Sequence, residues 1–394
     1  MKKVRNITTL ILILFLIACR KEDNAPVSQP APQYLVSATL LETSTKDELQ
    51  SALAGVPSLT PFVMNGIKIY KITFNTKDYQ GNRLVASGAV YVPTLDTPVP
   101  LFCYQHGTIF PSDEPTAPSY NAGSGESILS TVMAANGFLT VAPDNIGYGV
   151  SKTAFRQTNH YFSSASSALD MLNAVKEMAA QWNIRVTDKL FLSGWSQGAG
   201  SAVALSKVIQ DKGDTGFNLV ASAPYAGAYH MSAFADTLLK PNTADVAPFA
   251  TNAYAWIVKA YNAMYNINQP SAYYFGTYAP AIDADIETDL PVSPTEVFAS
   301  QFRNDFRNRT GPGLAMYNAF KDNDVYDWRP NFKLSLYHGT ADDYVPFFNS
   351  QDAFTAMKAR GATDVILVPL PGANHSTGVL PFLVGMLTEW QPLK

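Results

Sequence analysis

The 394-residue sequence predicts an α/β protein: a mostly parallel, twisted sheet flanked by helices, carrying an inserted and largely helical cap. Three observations point there. Short apolar runs at 101–104, 138–142, 189–192 and 334–337 read as strands buried on both faces. Between two of them, residues 164–180 place Leu169, Leu172, Val175 and Met178 at spacings of three, the pattern of a crossover helix. From about 231 to 327 the rhythm is lost and aromatic residues accumulate, among them Tyr254, Trp256, Tyr261, Tyr265, Tyr273, Tyr274, Phe275 and Tyr278, so an insertion is expected there.

The chain begins with Lys2, Lys3 and Arg5, followed by an apolar run over 10–18. This reads as a secretory signal over residues 1–18, since the run is shorter than the ~20 residues of a spanning helix. Leu16-Ile17-Ala18-Cys19 resembles the bacterial lipobox, which implies acylation of Cys19 and a membrane contact made through lipid. Arg20-Lys21-Glu22-Asp23 resembles the signal that carries Bacteroidetes lipoproteins to the outer face of the outer membrane, implying surface display. Residues 19–33 contain Pro26, Pro30 and Pro32 and read as an extended tether, leaving 34–394 as the folded domain.

Residues 67–74 and 84–92 alternate as strands around a turn at 78–82 containing Gly81, which predicts an antiparallel hairpin at the edge of the sheet. Cys19 and Cys103 are the only cysteines, so no disulfide framework can form once Cys19 is acylated. Cys103 lies in an apolar run and reads as a small buried hydrophobe. The net charge of -4 and pI near 5.7 argue against a nucleic-acid partner.

The chemistry concentrates in three loops. Residues 189–193 form an apolar strand that runs into Gly194-Trp195-Ser196-Gln197-Gly198 and then a small-residue helix. Strand, tight turn and helix put Ser196 at the apex, with glycines where a Cβ would collide. A serine hydroxyl is a poor nucleophile unless a histidine accepts its proton and a carboxylate orients that histidine. After the strand at 334–337, the turn His338-Gly339-Thr340-Ala341-Asp342-Asp343 supplies a carboxylate, either Asp342 or Asp343. After a strand at 365–370, Pro371-Gly372-Ala373-Asn374-His375-Ser376 forms a flexible loop from which His375 can reach back.

The order Ser, Asp, His on these loops resembles the α/β-hydrolases, from about Ile67 to the end of the chain, and among them secreted bacterial esterases and lipases. The segment from His338 to Pro346 is similar to their H-G-x-x-D-x-x-V-P loop, and that alignment places the acid at Asp342. Gln105-His106-Gly107-Thr108 resembles their oxyanion loop, so the backbone N–H groups of Thr108 and Gln197 are the implied donors. Asp144-Asn145-Ile146-Gly147-Tyr148-Gly149-Val150-Ser151 also resembles a loop of esterases and secreted lipases of this superfamily, with an architectural role. The resemblance implies a serine carboxylic-ester hydrolase that forms an acyl-enzyme on an extracellular lipid, glycan or small-molecule ester. Two alternatives are a serine peptidase of the prolyl oligopeptidase type and a non-catalytic binding protein on the same scaffold. No cofactor is implied, and metal-ligand motifs are lacking in the sequence.

Overall fold

The computed structural model describes residues 33–113 and 125–394. The leader, Cys19 and the tether up to Pro32 lie outside the described residues.

In chain order the elements are β1 (Leu35–Ser44), α1 (Lys46–Ala52), β2 (Ile67–Lys77), β3 (Arg83–Pro93), β4 (Val99–Gln105), α2 (Gly125–Ala135) and β5 (Leu139–Pro143). Next come α3 (Tyr161–Gln181), β6 (Val186–Trp195), α4 (Gln197–Lys212) and β7 (Asn218–Tyr225). The chain then leaves the sheet for α5 (Met231–Leu238), α6 (Ala250–Met264), α7 (Ser271–Phe275), α8 (Ala279–Ala284), α9 (Pro294–Val297), α10 (Ser300–Asn308) and α11 (Gly311–Lys321). It returns with β8 (Lys333–Gly339), α12 (Phe348–Ala359), β9 (Val365–Leu370) and α13 (Val379–Trp390).

The nine strands form one sheet in the order β1-β2-β3-β5-β4-β6-β7-β8-β9. β1, β2 and β3 run antiparallel to their neighbours, and every pairing from β5 onward is parallel. The hairpin predicted over 67–92 is β2 and β3, with its turn at Asp78 and Gly81, but it is not the sheet edge. β1 lies outside it. Most β1 residues are exposed, so this edge strand carries neither an apolar run nor a clean alternation from which a sequence could reveal it.

Along each central strand, side chains divide between two cores. Leu101, Cys103, Leu190 and Leu192 face one core with α3 and α4, while Phe102, Tyr104 and Phe191 face the other with α2 and α13. Burial pushes the Cys103 thiol up to about 12, in keeping with a packed side chain. On the second face Trp390 of α13 meets Phe102 at 5.8 Å and Phe191 at 5.1 Å, centroid to centroid. Such aromatic pairs contribute about 0.5–1.5 kcal/mol each beyond area burial, and here they clamp the last helix to the sheet.

The aromatics of the inserted helices chiefly hold those helices together. Tyr274 packs on Phe302 at 4.9 Å, Tyr261 on Phe320 at 5.0 Å, and the Tyr274 hydroxyl donates to Asn262 Oδ1. Of the eight singled out in the sequence, only Tyr254 lines the cleft described below.

The junction of β6 and α4 is built on close approach. A Cβ on Gly194 would meet the backbone of Gly198, and one on Gly198 would meet the carbonyl of Gln105 at the end of β4. Gly198→Ala is therefore expected to lower stability by about 3 kcal/mol, because the obstacle is backbone and cannot swing away. Gly55→Ala, with no atom within 4 Å of the added methyl, should stay within about 0.5 kcal/mol. Urea titration of the two variants checks this, and equal midpoints would contradict it.

Candidate active site

Ser196 occupies the single residue between β6 and α4, with φ 55° and ψ -119°. A non-glycine residue in that region is strained, and such outliers persist where the surroundings over-determine them. Here the Ser196 N–H donates to Tyr225 O at 3.0 Å, which pins the turn to the end of β7. The turn leaves Ser196 at the N-terminus of a 16-residue helix, where the helix dipole favours negative charge.

His375 sits on the loop after β9 with 6% of its side chain exposed. Its Nδ1 is 2.8 Å from Asp342 Oδ2. A carboxylate accepts from that nitrogen, so Nδ1 carries the proton and Nε2 is left as the acceptor. Aromatic rings bracket the imidazole: Tyr344 stacks at 5.1 Å and 22°, and Trp195 lies at 5.5 Å and 34°. Tyr225 adds a third contact and donates its hydroxyl to the carbonyls of Asn374 and His375.

The geometry separates the two acids that the residue pattern without the resemblance left open. Asp342 has no exposed side-chain surface, whereas Asp343 is exposed. Asp342 Oδ1 accepts the backbone N–H groups of Tyr344 at 2.9 Å and Val345 at 2.8 Å. Its Oδ2 takes His375 and lies 3.3 Å from Nε2 of His338. Burial by itself would raise the Asp342 carboxyl, but the hydrogen bonds from His338 and His375 and the electrostatic pull of the two imidazoles outweigh it and hold the group well below the usual carboxylate range. Asp343 contributes through its backbone, accepting the N–H of Ala247 at 3.1 Å.

Ser196 and His375 line one cleft of about 400 Å³, together with Gly107, Thr108, Trp195 and Gln197. Among the described residues no hydrogen bond joins Ser196 Oγ to His375. The predicted oxyanion residues border the same space, and no described group accepts the backbone N–H of Thr108 or Gln197. The Gln197 side chain is held by Asn159, whose N–H and Nδ2 donate to Gln197 Oε1 at 2.9 and 3.1 Å. Asn159 is tied in turn to α6 by the Tyr261 hydroxyl at 2.7 Å.

Other histidines serve the frame. His106 donates from Nδ1 to Gly107 O at 2.7 Å and accepts at Nε2 from Asn145 Nδ2 at 2.9 Å, joining the 105–108 loop to the loop after β5. His338 is bound by Ser350 and Val345 O beneath Asp342. Burial pushes His160 down to about 4.

Three residues of the site escaped sequence reading. Glu126 of α2 accepts the Gly107 N–H at 2.9 Å, and burial pushes its carboxyl up. Nothing in its local sequence marks it. Tyr344 and Asn159 were equally silent, although Tyr344 follows directly on the acid-bearing turn.

A comparison with protein-family models gives no match, and neither does one with curated proteins. Solved structures do match. A candidate hydrolase from Legionella pneumophila superposes with TM-score 0.79 at 24% identity, over 91% of this chain and 98% of that one. The rice cell wall degrading esterase LipA from Xanthomonas oryzae gives 0.78 at 23%, over 92% and 98%. Candida antarctica lipase A gives 0.61 at 16%, over 91% and 82%. The chain has the α/β-hydrolase fold.

The depressed Asp342 carboxyl has a consequence for stability. A carboxyl with a lower value folded than unfolded stabilises the protein above the unfolded value, about 3.9, and that contribution fades as pH falls below it. Asp342→Asn should therefore cost stability at pH 7, with the gap to wild type narrowing at pH 3. Denaturant midpoints at the two pH values measure this, and a constant gap would show that the charge is not its source.

Proposed function

We propose that the protein is a serine carboxylic-ester hydrolase in which Ser196 is the nucleophile, His375 the base and Asp342 the orienting acid. The observation that supports this best is the Asp342–His375 hydrogen bond in the cleft that Ser196 enters from a strained turn. In this reading Ser196 Oγ attacks the ester carbonyl carbon as its proton passes to His375 Nε2, and Asp342 stabilises the resulting imidazolium. The carbonyl oxygen becomes an oxyanion held by the N–H groups of Thr108 and Gln197. Loss of one such donor typically costs about 3 kcal/mol of transition-state stabilisation. Collapse breaks the carbon–oxygen bond to the alcohol, which leaves with the proton from His375. A water, deprotonated by His375, then attacks the acyl-Ser196 ester; the carbon–oxygen bond to Ser196 breaks, His375 returns the proton to Ser196 Oγ, and the acid is released.

Hydrolysis of p-nitrophenyl esters tests the reading. Wild type should turn over, Ser196→Ala should lose activity by about 10⁴-fold or more with its circular dichroism unchanged, and Asp342→Asn should reduce kcat far more than Asp343→Asn. Equal loss at Asp343, or none at Asp342, would overturn the choice of acid. Cleavage of proline-containing peptides with all esters refused would favour the peptidase alternative.

We also propose that Cys19 is acylated and anchors the protein at the outer face of the outer membrane, a reading supported by the motif ending at Cys19 and the charged residues after it. Expression of Cys19→Ala in the native host should move the protein out of the membrane fraction. Retention there would sink the lipid-anchor reading.

A further inference from the structure

Part of the cleft wall is carbon. Phe234 of α5 and Ala253, Tyr254 and Ile257 of α6 line it, and the Tyr254 hydroxyl is turned to Tyr344 O at 2.5 Å, so the ring is what faces the space. Among the described residues no lysine or arginine lines the cleft, and Ser112 engages the Glu287 carboxylate through its N–H and its hydroxyl. At the head of α6 stands Phe249, which also lines the cleft.

Phe249 is an anomaly on two counts. Its backbone is left-handed, φ 64° and ψ -5°, and the residue is 59% exposed. The turn itself explains the backbone: Ala250 N–H returns to Ala247 O at 3.1 Å, while Ala247 N–H is held by Asp343 O and the Tyr344 hydroxyl donates to Pro248 O at 2.6 Å. It does not explain the residue. Of the ten described non-glycine residues with positive φ, six are asparagine, the type that tolerates this conformation. An asparagine or glycine at 249 would close the same turn without strain and without an exposed ring, so folding does not call for phenylalanine there. Strain maintained against an available alternative marks functional positions.

We infer that Phe249 is the outer wall of a subsite for an aliphatic arm of the ester, several carbons long, lying along α6 against Phe234, Ala253 and Ile257. This rests on the ester-hydrolase reading above. Each methylene withdrawn from water there favours binding about fourfold.

The test uses F249G, which accepts the left-handed backbone, and F249L, which keeps an apolar side chain. Two ester series separate the arms: p-nitrophenyl acetate against octanoate, and ethyl acetate against octyl acetate. In F249G the long-over-short ratio of kcat/KM should fall about tenfold in one series, with the melting temperature equal to or above wild type. F249L should keep most of the ratio. A fall confined to the p-nitrophenyl series assigns the arm to the acyl group, and one confined to the acetates assigns it to the alcohol. Unchanged ratios in both series overturn the inference and leave the hydrolase reading standing, as does a melting temperature several degrees lower, which would give Phe249 to the fold. If wild type refuses every ester, the hydrolase reading fails, and sodium octanoate decides the subsite. It should raise the wild-type melting temperature more than acetate does, and F249G should lose that difference; no such difference in wild type rejects the subsite as well.

Discussion

Three backbones meet at van der Waals limits where β6 turns into α4: Gly194 against Gly198, and Gly198 against the carbonyl of Gln105. That close approach sets the rest of the site. It lets the chain reverse within one residue, which places Ser196 in a strained conformation at a helix N-terminus. It also brings the first turn of α4 against the end of β4, so the amides of Thr108 and Gln197 border one space. A side chain at either glycine would separate Ser196 from the loop beside it.

The acid loop is held just as firmly, by different means. Asp342 is buried, yet its oxygens take two backbone amides and one imidazole, with His338 beneath them, so the cost of burying charge is offset by hydrogen bonds. Tyr344 extends that order outward. Its N–H binds the acid, its ring stacks on His375, its carbonyl accepts from Tyr254, and its hydroxyl reaches Pro248. The inserted helices are thereby bonded to the loop that carries Asp342. Asn159 makes a second such link, between Tyr261 of α6 and the Gln197 side chain beside Ser196.

The sheet shows where sequence reading succeeds and where it stops. The buried stretches inside β4, β6 and β8, Leu101 to Tyr104, Leu190 to Leu192 and Leu334 to Tyr337, were legible because apolar and aromatic residues follow one another there almost without a break. β7 was not. Its buried part runs from Ala221 to Tyr225, and the Ala221, Ser222, Ala223 and Pro224 that fill most of it suit tight packing under α4 but produce no strongly apolar run. β1 was missed for the opposite reason, as an exposed edge strand needs no particular pattern, and without it the hairpin beside it looked like the edge.

By itself the sequence determined the α/β architecture and the three loops that carry Ser196, the acid and His375, because glycine spacing, apolar runs and residue order are local properties of the chain. Tertiary structure decided which of two adjacent aspartates meets His375, since one faces the imidazole and the other faces solvent, a difference of direction that composition cannot encode. It also decided that Glu126, Asn159 and Tyr344 belong to the site. Each reaches it from an element distant in sequence or through its backbone, and contacts of that kind exist only once the sheet has brought the loops together.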